Sequence, residues 1–308
     1  MTFEVRTAPY RHELLQHCYR MAGSVHDAED LLQETLVRAW RAFDRYDESR
    51  ASLRTWLYRI ATTTCLTELE GRGRRPLPSG LVAEGDPSGP LIRADEVLWL
   101  QPFPADPAAV VGQRGSLRLA LIAALQFLPA RQRAALILKD VLDWSSAEIA
   151  AALELSPAAV NSALQRARAK LAEVGLAEDD VLEPDDPRCR ETVAKFVAAF
   201  EKADAAAFAE LLTADVVLEM PPFANWFSGR ENHLRFVAGV FERRGSDWRV
   251  VPICANGQPG AAVYRGDGAG AYQLHTLHAF TVTTAGISHN RVFQDDQVFA
   301  AFGLARSL

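Results

Sequence analysis

Two proline-marked breaks constrain this chain more than any other feature. Between residues 73 and 112 fall Pro76, Pro78, Gly80, Gly85, Pro87, Gly89, Pro90, Pro102, Pro104 and Pro107. Proline lacks the amide that a helix interior or inner strand needs, and glycine favours turns. The stretch therefore reads as a long linker with room for one short helix. A second break, Glu178–Pro187, is acidic as well as proline-punctuated. The breaks leave three blocks: helical patterns over residues 8–72, helical patterns again over 115–175, and, from Arg188, two or three helices followed by alternating strands. A length of 308 residues suits such a two- or three-domain chain.

Composition excludes several classes. Hydrophobic residues make up 49% and charged residues 23%, as in ordinary globular proteins, so the chain is neither fibrous nor mainly disordered. The best apolar run, Leu119–Leu125, is far shorter than the roughly 18 residues of a membrane helix. The start, Met1-Thr2-Phe3-Glu4-Val5-Arg6, shows no apolar signal core, so a cytoplasmic location with no membrane association is expected. Cys18, Cys65, Cys189 and Cys254 lie far apart with no CxxC pair, which predicts no zinc site, no disulfide framework and a reducing compartment. No cofactor is expected. The net charge of −6 hides its distribution: residues 116–171 carry seven Lys/Arg against four Asp/Glu, and residues 172–187 carry seven acids and no base.

Helix signals place the polar side chains. Asp27 is positioned to cap a helix reaching Phe43, with Leu31, Leu32, Leu36, Ala39, Trp40 and Phe43 inward and Asp30, Gln33, Glu34, Arg38 and Arg41 outward. Ser52 is positioned to cap the next helix, with Leu53, Trp56, Leu57, Ile60 and Ala61 inward and Arg54, Thr55, Arg59, Thr62 and Thr63 outward. Further on, Ser145–Glu148 has the pattern of a capping box opening a short helix. After the turn Glu154-Leu155, Ser156 caps a second helix with Pro157 at its first position. Val160, Leu164, Ala167 and Leu171 form its apolar stripe, opposite Asn161, Gln165, Arg166 and Arg168, with Lys170 near the end. Two helices, a tight turn and a basic second helix make a helix-turn-helix whose outer face offers donors to base edges and cations to phosphates. A helical hairpin with a solvated basic face shows the same pattern, and the pattern alone leaves both readings open.

The segments together carry a resemblance. His17-Cys18-Tyr19-Arg20-Met21, Asp27-Ala28-Glu29-Asp30-Leu31-Leu32-Gln33-Glu34-Thr35 and Thr55-Trp56-Leu57-Tyr58-Arg59-Ile60-Ala61 resemble region two of an extracytoplasmic-function (ECF) RNA polymerase sigma factor. Leu128-Pro129-Ala130-Arg131-Gln132-Arg133 and the helix-turn-helix resemble region four. Trp99-Leu100-Gln101-Pro102-Phe103-Pro104 and Asn256-Gly257-Gln258-Pro259 resemble signatures of the subgroup with a fused C-terminal SnoaL-like domain. The resemblance implies a multidomain fold: two all-α sigma domains, a region 2 bundle over 8–75 and a region 4 helix-turn-helix over 115–175, then an α+β SnoaL-like cone over 188–308. Residues 76–114 and 176–187 are the linkers.

What the resemblance implies is transcription initiation, with core RNA polymerase and promoter DNA as partners. Asp30, Gln33, Glu34, Arg38 and Arg41 would dock on the clamp helices of the largest subunit, and region four would sit on the flap of the second subunit. Pro157, Asn161, Ser162, Gln165 and Arg166 would meet the −35 major groove, with Arg168 and Lys170 on phosphates. Tyr46, Ser49, Arg50, Arg59, Thr62 and Thr63 would hold the melted −10 strand; Trp56, on the apolar stripe, is assigned to the core. The chain departs from the family pattern at Thr63, where Asn is usual, at Thr67, where Asp is frequent, at Glu70, where a base is common, and at Glu154, where Gly is usual at the bend.

In the last block, Val193, Phe196, Val197 and Phe200 recur at helical spacing, and Asp204 is positioned to cap a second helix. Strand patterns cover Val216–Met220, Trp248–Ala255, Ala261–Arg265, Tyr272–Thr284 and Gly286–Phe293, which predicts a mostly antiparallel sheet wrapped as a cone around a cavity. Met220, Trp226, Phe227 and His278 are expected at that cavity. Glu219, His233, His275, His278, Asp295 and Asp296 are the candidate acids and bases, with His275 and His278 on opposite faces of their strand. A small-molecule sensor is the favoured reading over an enzyme. The resemblance implies a regulatory domain, acting on regions two and four or on the linker through Trp99, Pro102, Pro104, Asn256, Gln258 and Pro259. Two alternatives stay open: a ligand-sensing helix-turn-helix regulator that is not a sigma factor, and an isomerase- or cyclase-like enzyme with a DNA-binding appendage.

Overall fold

A computed structural model describes residues 2–104, 117–174 and 180–308. These divide into two compact units, one from residues 1–75 and 115–176, the other from 76–114 and 177–308. Pro107 and the start of the acidic run, Glu178, lie outside the described residues.

The first unit is all helical. Helices α1 (Phe3–Thr7), α2 (Arg11–Ala22), α3 (Val25–Ala42) and α4 (Leu53–Glu68) come from the first block. Helices α5 (Leu119–Leu125), α6 (Ala130–Asp140), α7 (Ser146–Leu153) and α8 (Pro157–Val174) come from the second. Helix α2 lies at the centre, with Leu14, Cys18, Tyr19 and Met21 buried, and ends at Gly23, whose φ of 70° suits glycine. The N-cap of α3 is Ser24, whose hydroxyl accepts from the Asp27 amide, rather than Asp27 itself. Asp27 instead accepts from Arg75 at 2.6 Å, where its charge also favours the helix N-terminus. Ser52 caps α4 as its sequence predicts.

Both blocks pack together in this unit through one buried cation. Arg133 of α6 is only 6% exposed. Its guanidinium donates to the Met21 carbonyl of α2, to Gln126 Oε1 at 2.9 Å and to the Leu128 carbonyl at 3.1 Å. Burial lowers its pKa to about 10, so it stays charged at neutral pH. A charge so placed is tolerable only because carbonyl and amide oxygens replace its water. Arg59 of α4 adds a bond to the Ala151 carbonyl of α7 at 3.1 Å.

The second unit is α+β. Its six-stranded sheet runs β2-β1-β6-β5-β4-β3, from β1 (Leu212–Glu219), β2 (Trp226–Ser228), β3 (Trp248–Ala255), β4 (Gln258–Gly266), β5 (Tyr272–Thr283) and β6 (Gly286–Phe293). Only β1 and β6 are parallel. Helices α9 (Pro187–Glu201), α10 (Ala205–Ala209), α11 (Arg230–Arg244) and α12 (Asp296–Ala301) accompany the sheet. The core joins Phe196, Phe200 and Phe208 to Val216, Trp248, Val263 and Phe280. Asp204 caps α10 through the Ala207 amide. Strands β3 and β4 meet at Asn256-Gly257, both at positive φ (57° and 67°), the two-residue turn that matches strand twist.

Candidate functional site

The helix-turn-helix forms from its predicted signals. The Ser145 hydroxyl accepts from the Glu148 amide at 3.2 Å, and the Glu148 carboxylate accepts from the Ser145 amide at 2.8 Å. The Ser145 hydroxyl, bonded to Glu148, lowers that carboxyl's pKa. Helix α7 ends at Glu154 with φ 55°, a left-handed conformation costing a non-glycine residue on the order of 1 kcal/mol. Ser156 then caps α8 through the Ala159 amide at 3.2 Å. Val160, Ala163, Leu164 and Ala167 are buried. Pro157, Asn161, Ser162, Gln165, Arg166, Arg168 and Lys170 are all exposed. Asn161 accepts from Ser146 at 2.8 Å, Arg168 pairs with Asp140 at 2.7 Å and Lys170 with Glu173 at 2.8 Å. Arg166 makes no ion pair among the described residues.

Helix α3 offers a second surface. Asp30, Gln33 and Arg41 are exposed, while Glu34 and Arg38 are half-buried and bonded to each other at 2.6 Å. Trp40 belongs to this surface, at 61% exposure, and not to the core as its spacing suggests. The buried arc centres on Ala28, Thr35 and Ala39, and at 3.6 residues per turn Trp40 falls about 100° from its middle. Val37, 40% exposed, lies beside it on the same outer face.

The region expected to hold a separated strand centres on an aromatic group. Tyr46 stacks on Phe43 (centroids 6.1 Å apart) and meets Trp56 at 5.0 Å. Arg6 lies over Phe43 and Tyr46. Trp56 is half-buried in this cluster instead of filling the core. The Tyr46 hydroxyl donates to the Ala51 carbonyl, closing the loop that carries exposed Ser49 and Arg50. Ser49 donates its amide and hydroxyl to Asp47, at 2.9 and 2.7 Å, and its hydroxyl chiefly lowers that carboxyl's pKa. Thr63 is exposed, but Thr62 is not on the outer face: its hydroxyl donates to the Tyr58 carbonyl and meets His17 at 3.0 Å inside the bundle. Threonine bonding back to its own helix turns its hydroxyl along the core-facing groove here.

In the second unit the linker is bonded to the C-terminal domain from Ser79 to Pro104. The Ser79 amide and hydroxyl donate to Glu219 Oε1 at 3.1 and 2.7 Å. Glu219 faces Arg291 at 3.4 Å, their side chains only 2% and 5% exposed. Glu84 accepts from the Ser228 amide and hydroxyl and from Asn232, and the first of these bonds chiefly lowers its pKa. Trp226 donates to the Val82 carbonyl at 2.9 Å. Ile92 donates to Asn225 Oδ1 at 2.6 Å, and Ala94 to the Pro222 carbonyl at 3.0 Å. At the far end, the Phe103 amide donates to Asn256 Oδ1 at 2.8 Å, while the Asn256 amide donates to the Phe103 carbonyl, also at 2.8 Å. Pro104 bridges Ala255. Trp99, Leu100 and Phe103 are buried, as is Pro102. Gln258 holds the sheet, donating to the Phe280 carbonyl and Thr281. Pro259 pairs with Cys254 in the hairpin.

The cone encloses a cavity of about 320 Å³. Phe200, Phe208, Leu218, Met220, Phe236 and Trp248 wall it, with His233, His275, Thr276, His278 and Asn290 as its inner polar groups. Of the residues expected there, Met220 and His278 line it, whereas Trp226 and Phe227 do not: Trp226 reaches Val82, and Phe227 packs with Leu218 and Met220. His275 and His278 both face the cavity, contrary to strict alternation. The register between Val263–Thr276 and Tyr264–Leu274 leaves His275 as a bulge, which resets the faces. His278 meets Asn290 at 3.0 Å and Thr276 at 3.1 Å, and Asn290 meets His233 at 3.4 Å. Burial lowers His233 to about 3 and His275 and His278 to about 4, so all three are neutral at neutral pH. Glu219 is occupied by Ser79 and Arg291, Asp295 caps α12, and Asp296 pairs with Arg306, so the carboxylates among the candidate acids hold structure. Among the described residues no group of three or more His, Cys, Asp or Glu is arranged to hold a metal, and no helix is long and apolar enough to cross a membrane.

Residues 8–75 match the Sigma-70 region 2 family, 118–171 the Sigma-70 region 4 family and 193–300 the SnoaL-like domain. The ECF RNA polymerase sigma factor SigG of Mycobacterium tuberculosis is 49% identical over 99% of this chain and 85% of its own. SigJ of the same organism is 30% identical over 76% of this chain and 72% of its own. The crystal structure of Mycobacterium tuberculosis SigJ superposes with a TM-score of 0.67 at 23% identity, covering 99% of this chain and all of that one, which supports the fold. The helix-turn-helix, the α2–α4 bundle and the cone thus fall together in one lineage: the chain belongs to the extracytoplasmic-function RNA polymerase sigma factors and carries a C-terminal SnoaL-like domain.

Proposed function

We propose that this chain binds core RNA polymerase in the cytoplasm, recognises a promoter, and is restrained by its own C-terminal domain through the linker. The observation that carries the first part is α8, a helix with exposed Asn161, Ser162, Gln165 and Arg166 presented by a capped helix-turn-helix. Such a face suits the −35 major groove, with Arg168 and Lys170 placed for phosphates. The outer face of α3, Asp30, Gln33, Arg41 and the added Val37 and Trp40, suits docking on the clamp helices, an exposed aromatic within a polar rim being a typical binding anchor. The flap of the second subunit is the partner assigned to region four. Tyr46, Ser49, Arg50, Arg59 and Thr63 remain the −10 candidates.

The restraint follows from packing. The helix-turn-helix block and the region 2 block share the buried Arg133, and Arg59 is held by Ala151. Reaching two separated promoter elements requires these blocks to part and the linker to extend. A linker bonded to the C-terminal domain from Ser79 to Pro104 cannot extend freely. The test is transcription in vitro with core enzyme, comparing the full chain with a version ending at Leu171. The shorter version should be the more active. Equal activity would remove the restraint, and failure of both to select a start site would remove the sigma reading.

A further inference from the structure

The cavity has a definite chemistry. Its walls are aromatic and aliphatic, and among the described residues no Asp or Glu lines it. The charged residues lining it are Arg243 and Arg244, both exposed at the end of α11. Gly239 leaves room for the Arg243 guanidinium to fold back along α11, since a Cβ there would stand 2.9 Å from Nη1. His233, with no exposed surface, leaves Nδ1 without a hydrogen-bond partner, and His275 Nδ1 is likewise unpartnered. Both nitrogens are closed off from the cavity space, so the groups left to select a ligand's charge are the two rim arginines.

We propose that this cavity binds a small organic anion, an apolar ring-sized body with one carboxylate-like group at Arg243 and Arg244. The volume lies at the lower end of the roughly 300–1,000 Å³ range of small-molecule sites, which fits two or three rings. The positive rim repels a cation, and no acid among the described lining residues offsets it.

The site also has a wall that belongs to the linker. Leu91 lines the cavity, and its neighbour Ile92 is fixed on both sides by Asn225 Oδ1 and the Ala224 amide. Phe223, another lining residue, bridges Arg93. Leu91 completes the site only while the linker is held. A ligand touching it therefore binds the held state better, and by reciprocity strengthens the hold. A regulatory effect of this coupling rests on the proposed restraint; the binding and the coupling do not.

The probes are 2-naphthoate, its neutral amide and 2-naphthylmethylamine, titrated into the full chain by calorimetry. Naphthoate should bind at least tenfold tighter than the amide, the amine should not bind, and R243Q/R244Q should erase the preference. Equal binding by all three, or none at millimolar concentration, would overturn the anion site. Naphthoate should also slow amide exchange of residues 91–94 at least threefold, and Leu91→Ala should weaken its binding. Binding without slowed exchange would overturn the coupling alone. If exchange slows while the full and shortened chains transcribe equally, the regulatory reading fails and the coupled site stands.

Discussion

Replacing Asn256 by glycine tests the linker hold at one atom. Asn256 is fully buried, stands at φ 57° and accepts the Phe103 amide at 2.8 Å. Glycine keeps the left-handed turn and removes only the carboxamide. The Phe103 amide, on a residue that is itself buried, then lacks this acceptor. An unsatisfied buried donor costs about 1–3 kcal/mol, a shift of roughly 5- to 150-fold in the equilibrium between held and free linker. Amide exchange at Leu100 to Phe103 should accelerate by that factor, while Ala262 and Val263 in the sheet stay protected. Transcription by the full chain with core enzyme should rise in parallel. Unchanged exchange would show that this bond does not hold the linker. Faster exchange with unchanged transcription would refute the restraint.

Other outcomes follow from the same geometry. Gln165→Ala should cost about 1–3 kcal/mol at one −35 base pair only, whereas Arg168→Ala should weaken all sequences alike and lower the salt slope by about one, as read by binding titrations at several salt concentrations. Trp40→Ala should leave the unfolding midpoint nearly unchanged, because the ring is exposed, yet reduce core-polymerase binding by about tenfold or more in a competition assay. The cavity histidines are held neutral in the fold, with pKa values of about 3 to 4 against 6.5 when unfolded. The unfolded chain thus takes up more protons on acidification. Their stabilisation is complete above pH 6.5 and is lost as pH falls towards 4, so denaturation midpoints should drop across that window, less steeply in His278→Gln.

Elements with strong local signals were legible in the sequence. The capping box at Ser145–Glu148, the cap at Ser52 and the proline at α8's start are decided within a few residues, and the structure places each where its pattern requires. Decisions made by distant packing were not. Trp40 and Thr62 each sit one residue from a core position, and only the partner surfaces, such as His17 for Thr62, decide which way the edge of a helix faces. Strict alternation misplaced His275 because a bulge depends on the neighbouring strand. One missed signal was available: Asn256-Gly257 between two strand patterns is a strong hairpin mark, and it shows that β4 begins at Gln258, three residues before its apolar run.

Glu219 shows how the cone holds the linker. A carboxylate buried beside an arginine gains little net stability, since desolvating both charges offsets most of their attraction. Its value lies in what it demands: every oxygen must find a donor. Ser79 supplies two, at 2.7 and 3.1 Å, to the oxygen not facing the Arg291 Nε. If the linker leaves, Glu219 Oε1 loses both donors within an almost dry site, and if the linker docks one residue out of register, neither serine donor reaches it. The ion pair therefore sets the register of the linker more than it adds affinity. Ser79→Ala should loosen the linker's first attachment while Glu219→Gln, which still accepts from Ser79, should retain it but leave Arg291 without its counter-charge. Amide exchange at residues 79–85 separates the two: fast in the serine variant, near native in the glutamine variant, even though the latter loses more global stability. Equal exchange in both would mean that the charge, and not the serine's geometry, anchors the chain there.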